Sequence, residues 1–332
     1  MAKKTLILSA IIGFIVFVSV LFFSNIKDVS KVLFSLSLPH FLIVLAIFLS
    51  EVLLITCRWG IILKSQGYHI PLNKLFPAKT SCYAISYLTP FSRLGGEPIR
   101  AYILKKKAGV PFLKGFETTI EDKMIEFTST MVFVICGVLI LFLNYTLSKD
   151  VIITLLAFIT LFVFLLSFFY IQIMQEKEVF SLLIRLFQIH KIKAFPEIHK
   201  HAKQLEKNIS VFFLNHKKTI IKALFISTIS NIILLLNSML LMHFIGYKLT
   251  FAGALIFFSL TAFASTFPIP GALGAFESFS ALAFSLLGFT AGTGVAFSLL
   301  IRLTELSAVT IGVFFVYSYS FKLLFSFIFN ND

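Results

Sequence analysis

The chain has 332 residues, of which 58% are hydrophobic and 13% are charged, and its formal net charge at pH 7 is +14. So large an apolar fraction excludes a soluble globular protein and predicts an all-α polytopic membrane protein, because spanning helices satisfy their own backbone hydrogen bonds. The three cysteines lie inside apolar stretches without the spacing of a disulfide framework or a zinc site, so neither a metal nor a cofactor is expected. Nucleic acid is not expected as a partner, because basic cytoplasmic loops account for the positive charge.

Six apolar stretches are long enough to cross a bilayer, whose hydrocarbon core of roughly 30 Å needs about 20 helical residues. The first of them is longer than the apolar region of a signal peptide and is not followed by an Ala-x-Ala site, so it is predicted to be a retained span. The six predicted spans are 6–23, 41–62, 124–144, 151–174, 219–245 and 294–321.

Two further apolar segments are interrupted by Pro and Gly, and they predict re-entrant or interrupted helical hairpins over about 76–111 and 251–288. The first arm of the first hairpin, 76–89, is only about 21 Å long as a helix, which is too short to cross the bilayer. The first arm of the second hairpin, 251–267, is long enough to leave a full span open as an alternative.

The distribution of Lys and Arg predicts the orientation, since these residues accumulate in cytoplasmic loops. If the N-terminus lies inside the cell, the external loops contain only Lys27, Lys31, Lys149 and Lys248. Both chain ends are then cytoplasmic, and the expected location is the cell membrane. The first hairpin enters from the cytoplasm and the second from outside.

The segment 175–218 is predicted to be a basic cytoplasmic loop with two amphipathic helices that lie on the membrane surface. Their basic faces suit anionic lipid headgroups. Apolar residues recur at helical spacing in two stripes, Leu182, Leu183, Leu186 and Ile189, and then Ile198, Ala202, Leu205, Ile209 and Phe212.

The breaks in the two hairpins carry most of the functional information. Each break combines Pro, Gly and a carboxylate, in the stretches 88–100 and 267–277. Irregular backbone at bilayer depth is tolerated only where it is buried in protein or lines a cavity, so each break is a candidate site. In both breaks Pro and Glu are seven residues apart, and opposed interrupted segments of this kind predict the inverted repeat of a transporter. The alternative is that Pro and Gly only allow tight helix packing.

The residues predicted to bind substrate are Arg93, Gly95, Gly96, Glu97 and Arg100 in the first break and Gly271, Gly274 and Glu277 in the second. Arg93 and Arg100, together with backbone N–H groups at a helix N-terminus, are predicted to bind a lipid phosphate. Because uncompensated charges at bilayer depth are costly, Arg93, Glu97 and Arg100 are predicted to meet Glu277 in one buried polar cavity near mid-membrane.

Other ionisable residues inside predicted spans are interpreted as supporting charges of this site. Arg302 and Glu305, three residues apart, are predicted to be neighbours on the last span. The alternative for such pairs is a buried salt bridge that only fixes helix register. The supporting charges are Arg58, Asp122, Glu126, Arg302 and Glu305.

Several of these elements together resemble the flippase-like membrane family that forms the transmembrane region of lysylphosphatidylglycerol synthases and also occurs as standalone proteins. The resemblance covers nearly the whole chain and implies a module that moves lipids between leaflets. The 44-residue loop is too small for the synthase domain, so lipid synthesis is not expected. Lys123 stands where the family often has Arg, which keeps the charge but loses bidentate geometry. The matching elements are 58–59, 88–102, 109–111, 121–126 and 268–277.

The sequence therefore predicts a lipid flippase or transporter that moves an anionic phospholipid or another lipid-linked phosphate, and no enzymatic activity. One alternative is a membrane-embedded enzyme that modifies lipid or polyprenyl phosphates, which needs a catalytic cluster that the short external loops do not offer. A second alternative is a membrane assembly scaffold. The expected partners are membrane lipids, with a separate lipid-modifying enzyme as a further candidate.

Overall fold

The computed structural model describes residues 2–24, 26–89, 95–175 and 196–329, and the regular structure in these ranges is entirely helical. A short 3-10 turn, Pro270–Ala272, lies between the helices Phe251–Ala264 and Ala275–Leu286. In chain order the helices are α1 (Ala2–Phe23), α2 (Ile26–Ser35), α3 (Leu38–Ser65), α4 (Leu72–Leu88), α5 (Glu97–Ala108), α6 (Phe112–Asn144), α7 (Lys149–Met174), α8 (Pro196–Asn215), α9 (Lys217–Phe244), α10 (Phe251–Ala264), α11 (Ala275–Leu286) and α12 (Ala291–Phe329).

Within the described residues, five helices are long and apolar enough to cross a membrane, namely α3, α6, α7, α9 and α12. The predicted fold class, an all-α polytopic membrane protein, is confirmed. The five helices coincide with five of the six predicted spans. The remaining predicted span, 6–23, lies in α1, whose apolar part Leu8–Phe23 is shorter than the other five.

Helix α6 is longer than the predicted span 124–144, because it already begins at Phe112. Gly109 ends α5 in the left-handed conformation, with φ 70°, and Pro111 immediately precedes α6. A left-handed glycine is a common helix terminator, and proline is compatible with a helix start, so the chain turns directly from α5 into α6. The charged first third of α6 thereby becomes part of the same rigid helix as its apolar remainder.

The segments predicted as hairpins, 76–111 and 251–288, each contain a pair of short helices separated by a break. Helices α4 and α5 contact each other, and so do α10 and α11. Residues 90–94 of the first break lie outside the described residues. The first pair begins at Leu72, somewhat before the predicted boundary.

Helix α12 is the common neighbour of the two interrupted pairs, since both α4 and α11 pack against it. The contact with α4 is close: a Cβ atom at Gly312 would lie 2.2 Å from the carbonyl oxygen of Thr80. No residue with a side chain fits there without moving one of the two backbones. Helix α3 packs along α9, and α10 packs along α6, which completes the walls around the two breaks.

Helix α2 was not predicted, because its mean hydropathy is low and it is short. It packs against α12, with Val29 and Val32 buried. Spacing of apolar residues by three is the signal of a helix with one buried face, and it was present in the sequence.

Helix α8 matches the second predicted amphipathic helix of the loop 175–218, but its apolar stripe is covered by protein. Leu205 and Ile209 are buried against Met124 of α6, and Phe212 is buried in a cluster with Ile62. The prediction that this stripe rests on the membrane surface is therefore wrong for these three side chains. The other predicted stripe, Leu182 to Ile189, and the side chains of Ile198 and Ala202 lie outside the described residues.

Candidate functional site

Asp122 of α6 is fully buried and is bound by cations from three other helices. Its Oδ1 atom lies 2.7 Å from Arg58 Nε of α3. Its Oδ2 atom lies 3.0 Å from Lys79 Nζ of α4 and 2.9 Å from Arg100 Nη1 of α5. A charge removed from water needs such partners, so Asp122 fixes the mutual positions of α3, α4, α5 and α6.

Glu126, one helical turn after Asp122, binds the other side of the same group of cations. It contacts Arg58 Nη2 at 3.0 Å and Lys123 Nζ at 2.9 Å, and Lys79 Nζ lies 3.9 Å away. Arg58 also donates to Ser227 Oγ of α9 at 2.7 Å. We call Arg58, Lys79, Arg100, Lys123, Asp122 and Glu126 the basic cluster, since four cations surround two carboxylates.

Arg100 is a member of the basic cluster that has side-chain nitrogens without a hydrogen-bond partner among the described residues. Its guanidinium stacks on the Trp59 ring, 3.6 Å from the ring centroid, and Trp59 Nε1 donates to Thr118 Oγ1. Arg100 is 2% exposed, yet Nε and Nη2 have no hydrogen-bond partner among the described residues. These two nitrogens share one edge of the guanidinium, the edge that can bind two oxygens of a phosphate or carboxylate.

The first break brings Arg100 to this position by a close approach of its backbone to α4. A Cβ atom on Gly96 would lie 2.1 Å from the carbonyl oxygen of Cys82, and the Gly96 N–H donates to Ser86 Oγ at 3.0 Å. Glu97 folds back over the start of α5, where its carboxylate accepts from the Gly95 N–H at 2.6 Å. Arg93, which was predicted to bind substrate with Arg100, lies outside the described residues.

The second break is organised by Arg302 of α12. Arg302 forms an ion pair with Glu277, and its Nη1 and Nη2 atoms donate to the carbonyl oxygens of Gly271 and Ala272 at 2.9 and 3.2 Å. Glu277 also accepts from the Gly274 N–H at 2.7 Å and so caps its own helix, α11. Among the described residues Arg302 thus pairs with Glu277, twenty-five residues earlier in the chain, while Glu305, the predicted neighbour, lies about one turn further along the same helix.

Tyr87 joins the two breaks. It lies in the last turn of α4, and its hydroxyl accepts a hydrogen bond from Arg302 Nη1 at 2.9 Å. Its ring also covers Gly271, where a Cβ atom would lie 3.1 Å from Tyr87 Cε1. The end of the first interrupted pair and the turn of the second thus share one arginine.

A cavity of about 250 Å³ lies between the two breaks and the surrounding helices. Glu97 and Arg100 line it, as do Gly271 and Glu305, whereas Glu277 is turned towards Arg302 and is not among its lining residues. The predicted meeting of Arg100 with Glu277 in one cavity is thus replaced by two neighbouring ion-pair groups. The first, around Asp122, faces the cavity, and the second, around Arg302, closes the break beside it.

The cavity follows α3 for much of its length. Arg58, Glu51 and Val44 all line it, and they are seven residues apart, so the lining extends about 21 Å along the helix axis. The hydrocarbon core of a bilayer is roughly 30 Å thick, and α3 is one of the membrane-spanning candidates. All cations among the described lining residues belong to the basic cluster, so the positive charge is gathered at one end.

Two side chains of this site, Lys79 and Tyr87, are not among the residues that the sequence indicates. Lys79 lies within the predicted apolar arm 76–89, although burying a lysine charge in such a segment costs free energy and requires a partner. Tyr87 gave no sequence signal, because its role depends on the distant Arg302. Among the described residues, no group of three or more His, Cys, Asp or Glu side chains is arranged to hold a metal ion.

A bundle of membrane-spanning helices around a buried charged cavity defines a multi-pass membrane protein with an internal polar site. Comparison with known proteins agrees with this class. The chain belongs to the family described as the lysylphosphatidylglycerol synthase TM region, whose model matches residues 10–312.

The relatives found by sequence are archaeal membrane proteins. Two UPF0104 membrane proteins of Methanothermobacter thermautotrophicus are 30% identical over 33% of this chain and 28% identical over 48% of it. A UPF0104 membrane protein of Pyrococcus horikoshii is 24% identical over 58% of this chain. The matched stretches cover 32%, 45% and 57% of these relatives, so the chain spans less than two thirds of their length. The comparison with solved structures gave no match.

Proposed function

We propose that this protein moves an anionic phospholipid, or another lipid-linked phosphate, between the leaflets of the cell membrane. The observation that carries the proposal is the Nε–Nη2 edge of Arg100, which has no hydrogen-bond partner among the described residues and is buried within the basic cluster at one end of a cavity. A lipid phosphate presents two oxygens that match this edge. The phosphate would bind Arg100 while Asp122 keeps the guanidinium oriented through Nη1.

The path for movement is supported by the direction and length of the cavity. A headgroup that travels along α3 from Arg58 to Val44 covers about 21 Å of a hydrocarbon core of roughly 30 Å. The lining between these points includes Phe48 and Val52 beside polar residues, so it offers an environment for both headgroup and acyl chain. The family description refers to the membrane region of a synthase named for a lipid product, which is in keeping with a lipid cargo.

The orientation belongs to the same proposal. Both chain ends lie in the cytoplasm, and the α4–α5 and α10–α11 pairs are re-entrant hairpins that enter from opposite faces. The exposed run Lys105 to Lys107 at the end of α5 supports a cytoplasmic exit of the first hairpin. Single-cysteine labelling at position 106, in a variant without Cys57, Cys82 and Cys136, tests this orientation. Labelling only by an impermeant reagent outside the cell would contradict it.

The function is tested by reconstitution into phosphatidylcholine vesicles that contain acyl-labelled phosphatidylglycerol, with dithionite quenching to follow its movement. Arg100→Ala should abolish protein-dependent movement, and Arg100→Lys should restore only part of it, because a lysine lacks the forked donors. Lys106→Ala is the matched control: it removes one positive charge from the exposed side of the same helix and should leave the rate unchanged.

The alternatives give different results in this assay. Chromatography of the recovered lipid should show it chemically unchanged, since we expect no enzymatic activity, and a modified lipid would favour the enzyme. Wild-type protein that moves no lipid would favour a scaffold. Movement at the wild-type rate by folded Arg100→Ala protein would refute the role of Arg100.

A further inference from the structure

The side of α9 that faces α3 carries a row of polar residues that begins at the basic cluster and continues beyond the phosphate site. Ser230 donates to the Glu51 carboxylate, and Asn231 Nδ2 donates to Ser129 Oγ at 3.1 Å. Asn237 Nδ2 donates to the carbonyl oxygen of Val44 at 3.3 Å. The residues of this row that line the cavity are Ser227, Ser230, Asn231, Asn237 and Ser238.

The row and α3 run antiparallel to each other. Ser227 contacts Arg58, Ser230 contacts Glu51 and Asn237 contacts Val44. Glu51 thus lies about 10 Å along α3 from the level of the basic cluster, and Asn237 lies about 10 Å further. The row continues the polar lining beyond the last cation.

Asn237 has spare hydrogen-bonding capacity in a buried place. It is 8% exposed, and its Oδ1 atom has no hydrogen-bond partner among the described residues. Its only hydrogen bond among those residues is the long one to Val44. A buried amide left half unsatisfied in a protein cavity costs free energy, which a ligand with hydrogen-bond donors can recover.

We infer that Glu51 and Asn237 form a second, cation-free station for the lipid headgroup, along which a headgroup hydroxyl donates first to the Glu51 carboxylate and then, about 10 Å further on, to the Asn237 amide oxygen. This inference rests on the proposed function, because the headgroup must first bind the basic cluster. A path needs sites that bind strongly enough to be entered and weakly enough to be left. Hydroxyl donors held by Glu51 and Asn237 lower the cost of moving the phosphate away from Arg100.

The station makes a prediction about cargo that the phosphate site does not make. Phosphatidylglycerol and phosphatidylethanol carry the same singly charged phosphodiester, but only phosphatidylglycerol has hydroxyl donors beyond the phosphate. Wild-type protein in phosphatidylcholine vesicles should therefore move acyl-labelled phosphatidylglycerol faster than phosphatidylethanol, by about three- to tenfold for one or two hydrogen bonds.

The decisive variant is Asn237→Leu, which has nearly the same shape but no hydrogen-bonding group. It should slow phosphatidylglycerol to the rate of phosphatidylethanol, leave phosphatidylethanol unchanged, and leave the binding of both lipids at equilibrium unchanged. Asn237→Asp keeps an acceptor oxygen at this position and should retain the preference. Leu236→Met, at the exposed neighbouring position, is the control and should behave as wild type.

Each outcome bears on one of the two proposals. Equal rates for the two lipids in wild-type protein, or an unchanged preference in folded Asn237→Leu protein, would overturn the second station alone. If Asn237→Leu does not fold, a lost preference in Glu51→Met, which removes the acceptor oxygens, with retained phosphatidylethanol movement supports the station, and a retained preference overturns it. If neither lipid moves, the proposed function fails and the station fails with it. Folded Arg100→Ala protein that moves both lipids normally refutes the phosphate site from which the station receives the headgroup, and so overturns the station while lipid movement itself stands.

Discussion

Replacing Asp122 by Asn removes the charge that holds three buried cations together while preserving the size of the side chain. Asp122 is fully buried, and its contacts with Arg58, Lys79 and Arg100 range from 2.7 to 3.0 Å. At about 3 Å and an effective dielectric constant of 20, each attraction is worth about 5 kcal/mol before desolvation is subtracted. Loss of one partner of a buried ion pair costs about 3–5 kcal/mol net.

Such a loss is a large part of a typical unfolding free energy of about 5–15 kcal/mol. We therefore expect Asp122→Asn to lower the free energy of unfolding by about 3–5 kcal/mol, measured by titrating detergent-solubilised protein with dodecyl sulfate and following helicity. Glu126→Gln should cost less, because the Glu126 side chain is 22% exposed and partly solvated.

A second substitution tests the cause of the loss. Lys79 contacts Asp122 at 3.0 Å and Glu126 only at 3.9 Å, and among the described residues Arg100 pairs with no carboxylate other than Asp122, so the substitution leaves both cations poorly compensated. Adding Lys79→Met to Asp122→Asn should recover part of the lost stability, since an uncompensated buried charge is removed. A double variant less stable than Asp122→Asn, or a single variant that loses under about 1 kcal/mol, would refute the electrostatic account.

The remaining predictions concern the two breaks. Gly96→Ala should destabilise the protein by about 1–3 kcal/mol or more, because the new methyl group collides with the Cys82 carbonyl. The dodecyl sulfate titration measures this loss of stability, and an unchanged midpoint would contradict the close approach of Gly96 to Cys82. Arg302→Lys should cost about 2–4 kcal/mol, because lysine cannot keep Glu277, Tyr87 and two backbone carbonyls together; equal stability would show that charge alone suffices. Tyr87→Phe should cost only about 1 kcal/mol, measured by the same titration, and a loss as large as that of Arg302→Lys would contradict a single hydrogen bond.

The sequence supported the membrane class, five long spans and the two interrupted segments, because length and apolar composition act locally along the chain. It also pointed to Arg100 and Glu97, since Pro, Gly and charge together mark a break that must be buried. The sequence does not indicate which charged side chains pair across different helices. Arg302 binds Glu277 because α11 packs against α12, whereas helical spacing can only indicate neighbours on the same helix, such as Glu305.

Amphipathic helices show the same limit. The stripe of α8 correctly indicated a helix with one covered face, but periodicity does not tell whether lipid or protein covers it. Leu205 and Ile209 are covered by α6 and its neighbours. Helix α2 shows the reverse case, since a short segment of low mean hydropathy was overlooked although Val29 and Val32 repeat at helical spacing.

The arginine shared by Tyr87 and Gly271 has a mechanical consequence. Because Arg302 Nη1 donates to both, the end of α4 cannot separate from the second break without losing a hydrogen bond to a charged group. Each such bond contributes about 1.5–3 kcal/mol. Any motion that opened one end of the cavity would therefore either displace both interrupted helix pairs together with α12 as one body, or break this linkage at that energetic cost.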